Sequence, residues 1–286
     1  MAETRSIQTV GIIGAGTMGS GIAHVFARSG FDVLLCDIEQ TLLDKALAKI
    51  RTNLGREAAK GKLTAEELEA AASRIRLTTD CAALAEAHFA VEAASERFEI
   101  KSELFRSLDA ILPKEAILAT NTSSISITKL AAQTARPAQV IGMHFFNPVP
   151  VMALVEIIRG LQTNQTTYDT VRDLATRLGK TPIEVNDSPG FVSNRVLMPL
   201  INEAAFTVME GVATAEAVDQ VFQLGMNHPM GPLTLADFIG LDVCVDILRV
   251  LHQGLGDPKY RPCPLLVRMV DAGWLGRKSG RGFYTY

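Results

Sequence analysis

The chain of 286 residues carries 28 Lys and Arg against 31 Asp and Glu, a net charge of -3, and is 48% hydrophobic. Its length exceeds what one core usually holds, its apolar content excludes intrinsic disorder, and so balanced a charge excludes general nucleic-acid binding, which needs clustered cations. The four cysteines, Cys36, Cys81, Cys244 and Cys263, form no C-x-x-C pair. Neither a disulfide framework nor a zinc site is therefore expected, and a reducing, cytoplasmic setting suits them. No apolar run reaches the ~18 to 20 residues of a membrane span, and the opening MAETRSIQTVGII lacks the form of a secretory signal.

Along the chain, apolar runs fall at Val10 to Ile13, Val33 to Cys36, Phe89 to Val91, Ile117 to Ala119, Val140 to Met143 and Ala153 to Ile158. Ala- and Leu-rich stretches of helical spacing lie between most of them. Continuous apolar strands alternating with helices predict an α/β, doubly wound, Rossmann-type parallel sheet covered on both faces. One of the intervening stretches predicts a helical hairpin at about 41–76. Leu43, Leu47, Ile50 and Leu54 form the buried stripe of its first helix, and Thr64 with Glu67 makes a capping box for its second.

The pattern changes at Asn186-Asp187-Ser188-Pro189-Gly190. Asp187 or Ser188 can cap a helix in whose first turn Pro189 fits. Helices are then predicted over 191–210, 215–224, 233–250 and 265–272. The expected organisation is a nucleotide-binding domain over 1–187 and a smaller, all-helical domain over 188–286.

Gly14-Ala15-Gly16-Thr17-Met18-Gly19 is a G-x-G-x-x-G that follows a strand and opens a helix. Gly14 permits the tight turn, Gly16 lets the backbone approach a pyrophosphate, and Gly19 allows close helix–strand packing, with the phosphates at the helix N-terminus. Asp37 ends the next strand, where a carboxylate can bond a ribose 2′-OH. No Arg follows it to take a 2′-phosphate. The expectation is NAD rather than NADP, and no metal, because the histidines share no ligand spacing.

Polar residues at strand ends are site candidates in such a sheet. Thr120 to Ser124 supplies hydroxyls and an amide, and His144 and Glu156 sit in two neighbouring apolar segments. These two can form a base and the acid that orients it. They equally suit a satisfied core histidine and a structural ion pair, and the residues alone leave both open.

GAGTMGSGIA, NTSSISIT, IGMHFFNPVPVMALVEII, SPGFVSNR, NHPMGPLTLADFIGLD and GRKSGRGFY, in this order, resemble the short-chain L-3-hydroxyacyl-CoA dehydrogenases across essentially the whole chain. The likeness is greatest to the bacterial enzymes of (S)-3-hydroxybutyryl-CoA. It implies NAD-dependent oxidation of a 3-hydroxyacyl-CoA at C3, or the reverse reduction. It further implies His144 as base, Glu156 as its partner, and Ser123 and Asn194 as donors to substrate oxygens. Glu96, Lys101 and Asn121 match positions lining the nicotinamide side of the cofactor pocket, and members of the family pair through the helical domain, so a homodimer is expected. Asn194 could otherwise be a buried helix amide.

On the first hairpin helix, Lys45, Lys49, Arg56 and Lys60 share a face within ~60° at 100° per residue. Coenzyme A carries a 3′-phospho-ADP that such a face suits, with Arg56 and Lys60 the favoured pair and Lys45 and Lys49 merely solvated. A dehydrogenase of a free 3-hydroxy acid, or a non-catalytic NAD-binding relative, stands as the alternative.

Overall fold

The structure, a computed structural model, describes residues 7–286. Eight strands form one sheet: β1 (Thr9–Ile13), β2 (Asp32–Cys36), β3 (Ile75–Thr78), β4 (Phe89–Glu92), β5 (Ile117–Thr120), β6 (Val140–Phe145), β7 (Leu154–Arg159) and β8 (Thr181–Asn186). Their order is β3-β2-β1-β4-β5-β6-β7-β8. Every residue of β4, β5 and β6 is buried, which is why these strands read as unbroken apolar runs rather than alternating ones. Helices α1 (Thr17–Arg28), α2 (Gln40–Ala59), α3 (Ala65–Ser73), α4 (Phe98–Ile111), α5 (Ile127–Ala131) and α6 (Gln165–Arg177) accompany the sheet. Phe26 of α1 meets Phe31 edge-on at 5.5 Å between centroids, and Phe89 of β4 at 6.1 Å, fastening the first crossover to the sheet.

The doubly wound α/β class stands, but the sheet is not wholly parallel. β7 runs antiparallel to β6, and β8 parallel to β7. The connection 146–153 is too short for a crossover, which takes about a dozen residues, so β7 has to return beside β6. Two edge strands, β3 and β8, lie outside the predicted runs. Both are half-exposed, and β8 carries Pro182, so neither shows a continuous apolar signature.

The hairpin is α2 and α3, but it stops short of 76: the chain leaves α3 at Ser73 and enters β3 at Ile75. Leu43, Ile50 and Leu54 are buried, Leu47 packs against the same core, and both halves of the Thr64–Glu67 capping box are present. These contacts fix α2 by its apolar stripe and leave its basic face outward.

The chain divides between Asp187 and Ser188. In the second unit α7 (Ser193–Met209), α8 (Ala215–Gln220), α9 (Pro232–Ile239), α10 (Leu241–Leu255) and α11 (Pro264–Asp271) surround Ile201, Leu233, Leu241, Leu248 and Leu266. The predicted cap at Asp187 or Ser188 is not used. A turn with Gly190 at φ 75° and Phe191 at φ 52° intervenes, and α7 begins at Ser193. Asp187 instead caps α5, accepting the Thr128 N–H at 2.8 Å and the Ser126 hydroxyl at 2.7 Å. The single helix predicted over 233–250 is two, because Gly240 at φ 107° breaks it between α9 and α10.

Two buried carboxylates knit this unit together. Asp219 accepts the first N–H groups of α9 from Leu233 and Thr234 at 2.8 and 2.9 Å, while Asp237 accepts the N–H groups of Phe283 and Tyr284, both at 3.0 Å. Burying a carboxylate is costly unless its oxygens are filled, and here each is.

Candidate active site

β2, β1, β4 and β5 end in one rank: Cys36, Ile13, Glu92 and Thr120 are successive register partners, with Gly142 of β6 next in line before that strand runs on to Phe145. The strand order reverses between β1 and β4, where open α/β sheets hold ligands beyond their carboxyl ends.

The glycine loop lies directly on this rank. Gly14 takes φ 100° and donates its N–H to the Cys36 carbonyl at 2.8 Å. A side chain on Gly19 would collide with the Gly14 carbonyl, whereas one on Gly16 would meet nothing within 4 Å. The open position over Gly16 and the exposed Thr17, beside an α1 N-terminus with no side-chain cap and no acid in its first turn, fits the pyrophosphate of a dinucleotide. Met18 packs against the core, so it supports the loop from beneath. Asp37, one residue past β2, places Oδ2 2.6 Å from the Ala15 nitrogen and Oδ1 3.4 Å from that of Glu39. A carboxylate already holding the loop is pre-oriented for a ribose hydroxyl.

Beyond β4 and β5 the carboxylates form a layered network. Glu92, fully buried, receives Lys101 Nζ at 2.6 and 2.8 Å and the Thr120 hydroxyl at 2.7 Å. Glu96 sits above: its Oε1 accepts the Thr122 hydroxyl at 2.6 Å, the Ser123 N–H at 2.9 Å and the Ser123 hydroxyl at 3.2 Å. Burial raises the Glu96 pKa, but Lys101 at 3.4 Å and the donated hydrogen bonds outweigh it and leave it below the ordinary value. Lys101 itself is 1% exposed, its ammonium held between Glu92 and Glu96. It lies on the buried face of α4 with Phe105 and Leu108, and besides Glu92 and Glu96 its Nζ reaches the Ala94 carbonyl at 3.5 Å. Asn121 uses its side-chain oxygen to accept the Phe145 N–H at 2.9 Å, tying the end of β5 to the end of β6.

His144 and Glu156 face each other as direct cross-strand partners in the antiparallel β6–β7 pair. Nδ1 and Oε2 are 2.8 Å apart, and the residues are 7% and 3% exposed. The Phe146 ring lies 4.7 Å from the imidazole, centroid to centroid, and limits its tilt. A buried carboxylate at this distance accepts a hydrogen bond from Nδ1–H, which fixes the tautomer and puts the acceptor lone pair on Nε2.

The remaining predicted residues are more dispersed. Arg56 in the last turn of α2 and Lys60 just past it are exposed, as are Lys45 and Lys49 earlier in the helix, so all four form one outward basic face. Asn194 is half-buried in the first turn of α7, in the helical unit. Thr120 and Thr122 belong to the candidate segment Thr120 to Ser124, whereas Glu92 was not among the sequence candidates. Glu92 had a signal, as a carboxylate directly after the apolar run Phe89 to Val91. Among the described residues, no group of three or more His, Cys, Asp or Glu side chains is arranged to hold a metal ion, and no helix is long and apolar enough to cross a membrane.

Comparison with known proteins adds two family models. The NAD-binding domain of 3-hydroxyacyl-CoA dehydrogenase matches residues 9–188, and the C-terminal domain of 3-hydroxyacyl-CoA dehydrogenase matches residues 190–286. A Deinococcus radiodurans protein named a probable 3-hydroxybutyryl-CoA dehydrogenase is 59% identical over 96% of this chain and 99% of its own length. The 3-hydroxybutyryl-CoA dehydrogenase of Bradyrhizobium diazoefficiens is 52% identical over 98% of this chain and 96% of its own. Among solved structures, the (S)-3-hydroxybutyryl-CoA dehydrogenase of Ralstonia eutropha superposes with a TM-score of 0.96 at 51% identity, covering 98% of this chain and 99% of that one.

Proposed function

Because the chain belongs to the 3-hydroxyacyl-CoA dehydrogenase family, we propose that it interconverts an (S)-3-hydroxyacyl-CoA, foremost 3-hydroxybutyryl-CoA, and the 3-ketoacyl-CoA with NAD. The observation that carries this reading is the buried His144–Glu156 pair, 2.8 Å apart, near the end of β6 and the start of β7, at the same end of the sheet as the glycine loop.

When bound, NAD supplies the hydride acceptor at the nicotinamide, and in the reverse direction the reduced form supplies the donor. The protein manages one proton and the geometry. His144 Nε2 removes the proton from the 3-hydroxyl, and Glu156 holds Nδ1–H and stabilises the imidazolium that results. In the reduction, the same imidazolium returns the proton to the carbonyl oxygen. Ser123 and Asn194 hydrogen-bond the substrate oxygens, in keeping with the family likeness. Glu96 supports the placement of Ser123 by accepting its backbone N–H at 2.9 Å along with the Thr122 and Ser124 hydroxyls. Gly14, Gly16, Thr17 and Gly19 with Asp37 would hold the dinucleotide, and Asn121 would keep the β5 and β6 ends in register beneath its nicotinamide side. Arg56 and Lys60 meet the 3′-phospho-ADP of coenzyme A.

The protein works as a homodimer in the cytoplasm. The helical unit supports the first, because it leaves Val196, Val212, Leu224, Met226 and Phe238 exposed. Four free cysteines suit a reducing compartment. The test of the activity is loss of NADH absorbance on adding acetoacetyl-CoA. Equal turnover of free acetoacetate would replace this reading with a hydroxy-acid dehydrogenase, and no turnover of either with a non-catalytic relative.

A further inference from the structure

The cysteines take no part in the proposed chemistry, yet two of them are neighbours. Cys36 ends β2 and is buried; Cys81, half-buried, opens the short 3-10 turn Cys81–Glu86 that follows β3. Although 45 positions separate them, their Sγ atoms lie 3.1 Å apart. Both are held in place. Cys36 pairs in register with Thr78 of β3, and Asp80 caps the turn by accepting the Ala82 N–H at 2.9 Å. A disulfide needs about 2.05 Å, so the sulfurs have to close by about 1 Å. In the helical unit, the Cys263 sulfur lies 3.8 Å from the Met209 thioether.

We propose that Cys36 and Cys81 form a reversible intramolecular disulfide that lowers dinucleotide affinity. The oxidant is a low-molecular-weight disulfide, RSSR. Cys81, reachable from solvent, loses its proton and attacks one sulfur of the reagent. The reagent S–S bond breaks, a Cys81–SR bond forms and RS⁻ departs. Cys36 then gives up its proton, attacks the Cys81 sulfur and displaces the second RS⁻. Two protein thiols and one RSSR become one protein disulfide and two RSH, so the cysteines are oxidised and the reagent reduced. The order follows from the surroundings. Burial above all, then the Cys81 contact and the charges of Asp37 and Asp80, push the Cys36 thiol above the ordinary range, and only a thiolate attacks.

The effect on binding follows from position. The Cys36 carbonyl accepts the Gly14 N–H, and Asp37, the next residue, accepts that of Ala15. Drawing Cys36 toward Cys81 displaces the strand end that carries both anchors of the glycine loop. This consequence rests on reading that loop as the NAD site; the bond itself does not. Disulfides in reducing compartments are mostly transient and redox-sensing, which fits an enzyme exchanging electrons with a nicotinamide pool.

The test incubates the reduced full-length protein with oxidised glutathione. Free thiols are then alkylated, intact mass and peptides are read, and NADH is titrated by fluorescence before oxidation, after it and after dithiothreitol. The expected result is a loss of two hydrogens, a cross-linked peptide joining Cys36 to Cys81, and a rise in NADH Kd on the order of tenfold, about what one loop hydrogen bond supplies. Dithiothreitol reverses both, and Cys81→Ser shows neither while binding NADH normally when reduced. A protein that keeps all its thiols, or stops at a glutathione adduct on Cys81, overturns the bond. An oxidised protein with unchanged Kd overturns its role. Failure of the reduced protein to bind NADH would instead remove the nucleotide reading and leave the mass to decide the bond.

Discussion

Asp37 reaches from the end of β2 to the backbone nitrogen of Ala15, 2.6 Å away, so one carboxylate braces the glycine loop from the neighbouring strand. The contact joins the part of the site that shapes the phosphate cradle to the residue expected at the ribose. Asp37→Ala loses both functions at once. Hydrogen bonds to charged groups contribute enough that NADH Kd should rise about tenfold to a hundredfold, with kcat at saturating NADH little changed. Fluorescence titration of both nucleotides checks this. Tighter binding of NADPH than NADH by the unaltered protein would contradict the ribose assignment.

His144→Ala should lower kcat by about 10² to 10⁴ while leaving NADH affinity intact, because a positioned base contributes on that scale. Glu156→Gln keeps an oxygen near Nδ1 but not the charge, so its kcat should fall by less than that of the alanine variant. Steady-state rates on acetoacetyl-CoA together with NADH titration make the comparison. A His144→Ala protein with near-normal kcat would show that the pair is structural.

How far the sequence revealed these features depended on burial. Strands covered on both faces, such as Phe89–Glu92 and Val140–Phe145, left apolar runs that could be read directly. β3 and β8 left none, since edge strands are half in water. The reversal of β7 was written only in the length of 146–153, and Gly240 was the only local sign that the helix after Leu233 would break. His144 and Glu156 were legible as an imidazole and a carboxylate in apolar segments, but their contact depends on a strand direction that neither segment states. Lys101 was legible in another way, since its spacing from Phe105 and Leu108 already placed it on the inward face of α4.

The Lys101–Glu92 pair is nearly inaccessible, at 1% and 0% exposure. Lys101→Met leaves a carboxylate buried without its cation, which should cost about 3 to 5 kcal/mol. Removing the second charge as well, in Lys101→Met with Glu92→Gln, should recover part of that loss. Urea denaturation of the two variants and the parent measures it. A double variant less stable than the single one would mean the charge was not the cause.

His24 is buried in α1 with Nε2 3.3 Å from Glu57, which also holds Arg28 at 3.0 Å. Burial, first of all, lowers its pKa below the ordinary 6.5; Glu57 opposes this, and Arg28 and Lys180 add to it. The unfolded chain therefore takes up this proton before the folded one does. Stability is complete above about 6.5 and is lost as pH falls from there through the folded value. His24→Gln should flatten this slope, as followed by thermal melts across the range. An unchanged slope would assign the acid sensitivity elsewhere.

Lys60→Ala should raise KM for acetoacetyl-CoA by about two- to fivefold at low ionic strength, the scale of one exposed charge contact, with the difference closing as salt is added. Lys45→Ala serves as the control on the same helix face and should change little. Equal KM values for all three proteins at low salt would remove α2 from coenzyme A recognition.

The distance between His144 and Glu156 is set by the rungs of an antiparallel ladder, not by the loop that joins their strands. A slip of one residue in that pairing would turn the carboxylate to the opposite side of the sheet. Insertions should thus be tolerated between the two strands far better than within either, so lineages of this enzyme could vary the turn after Phe146 while the working pair stays in step.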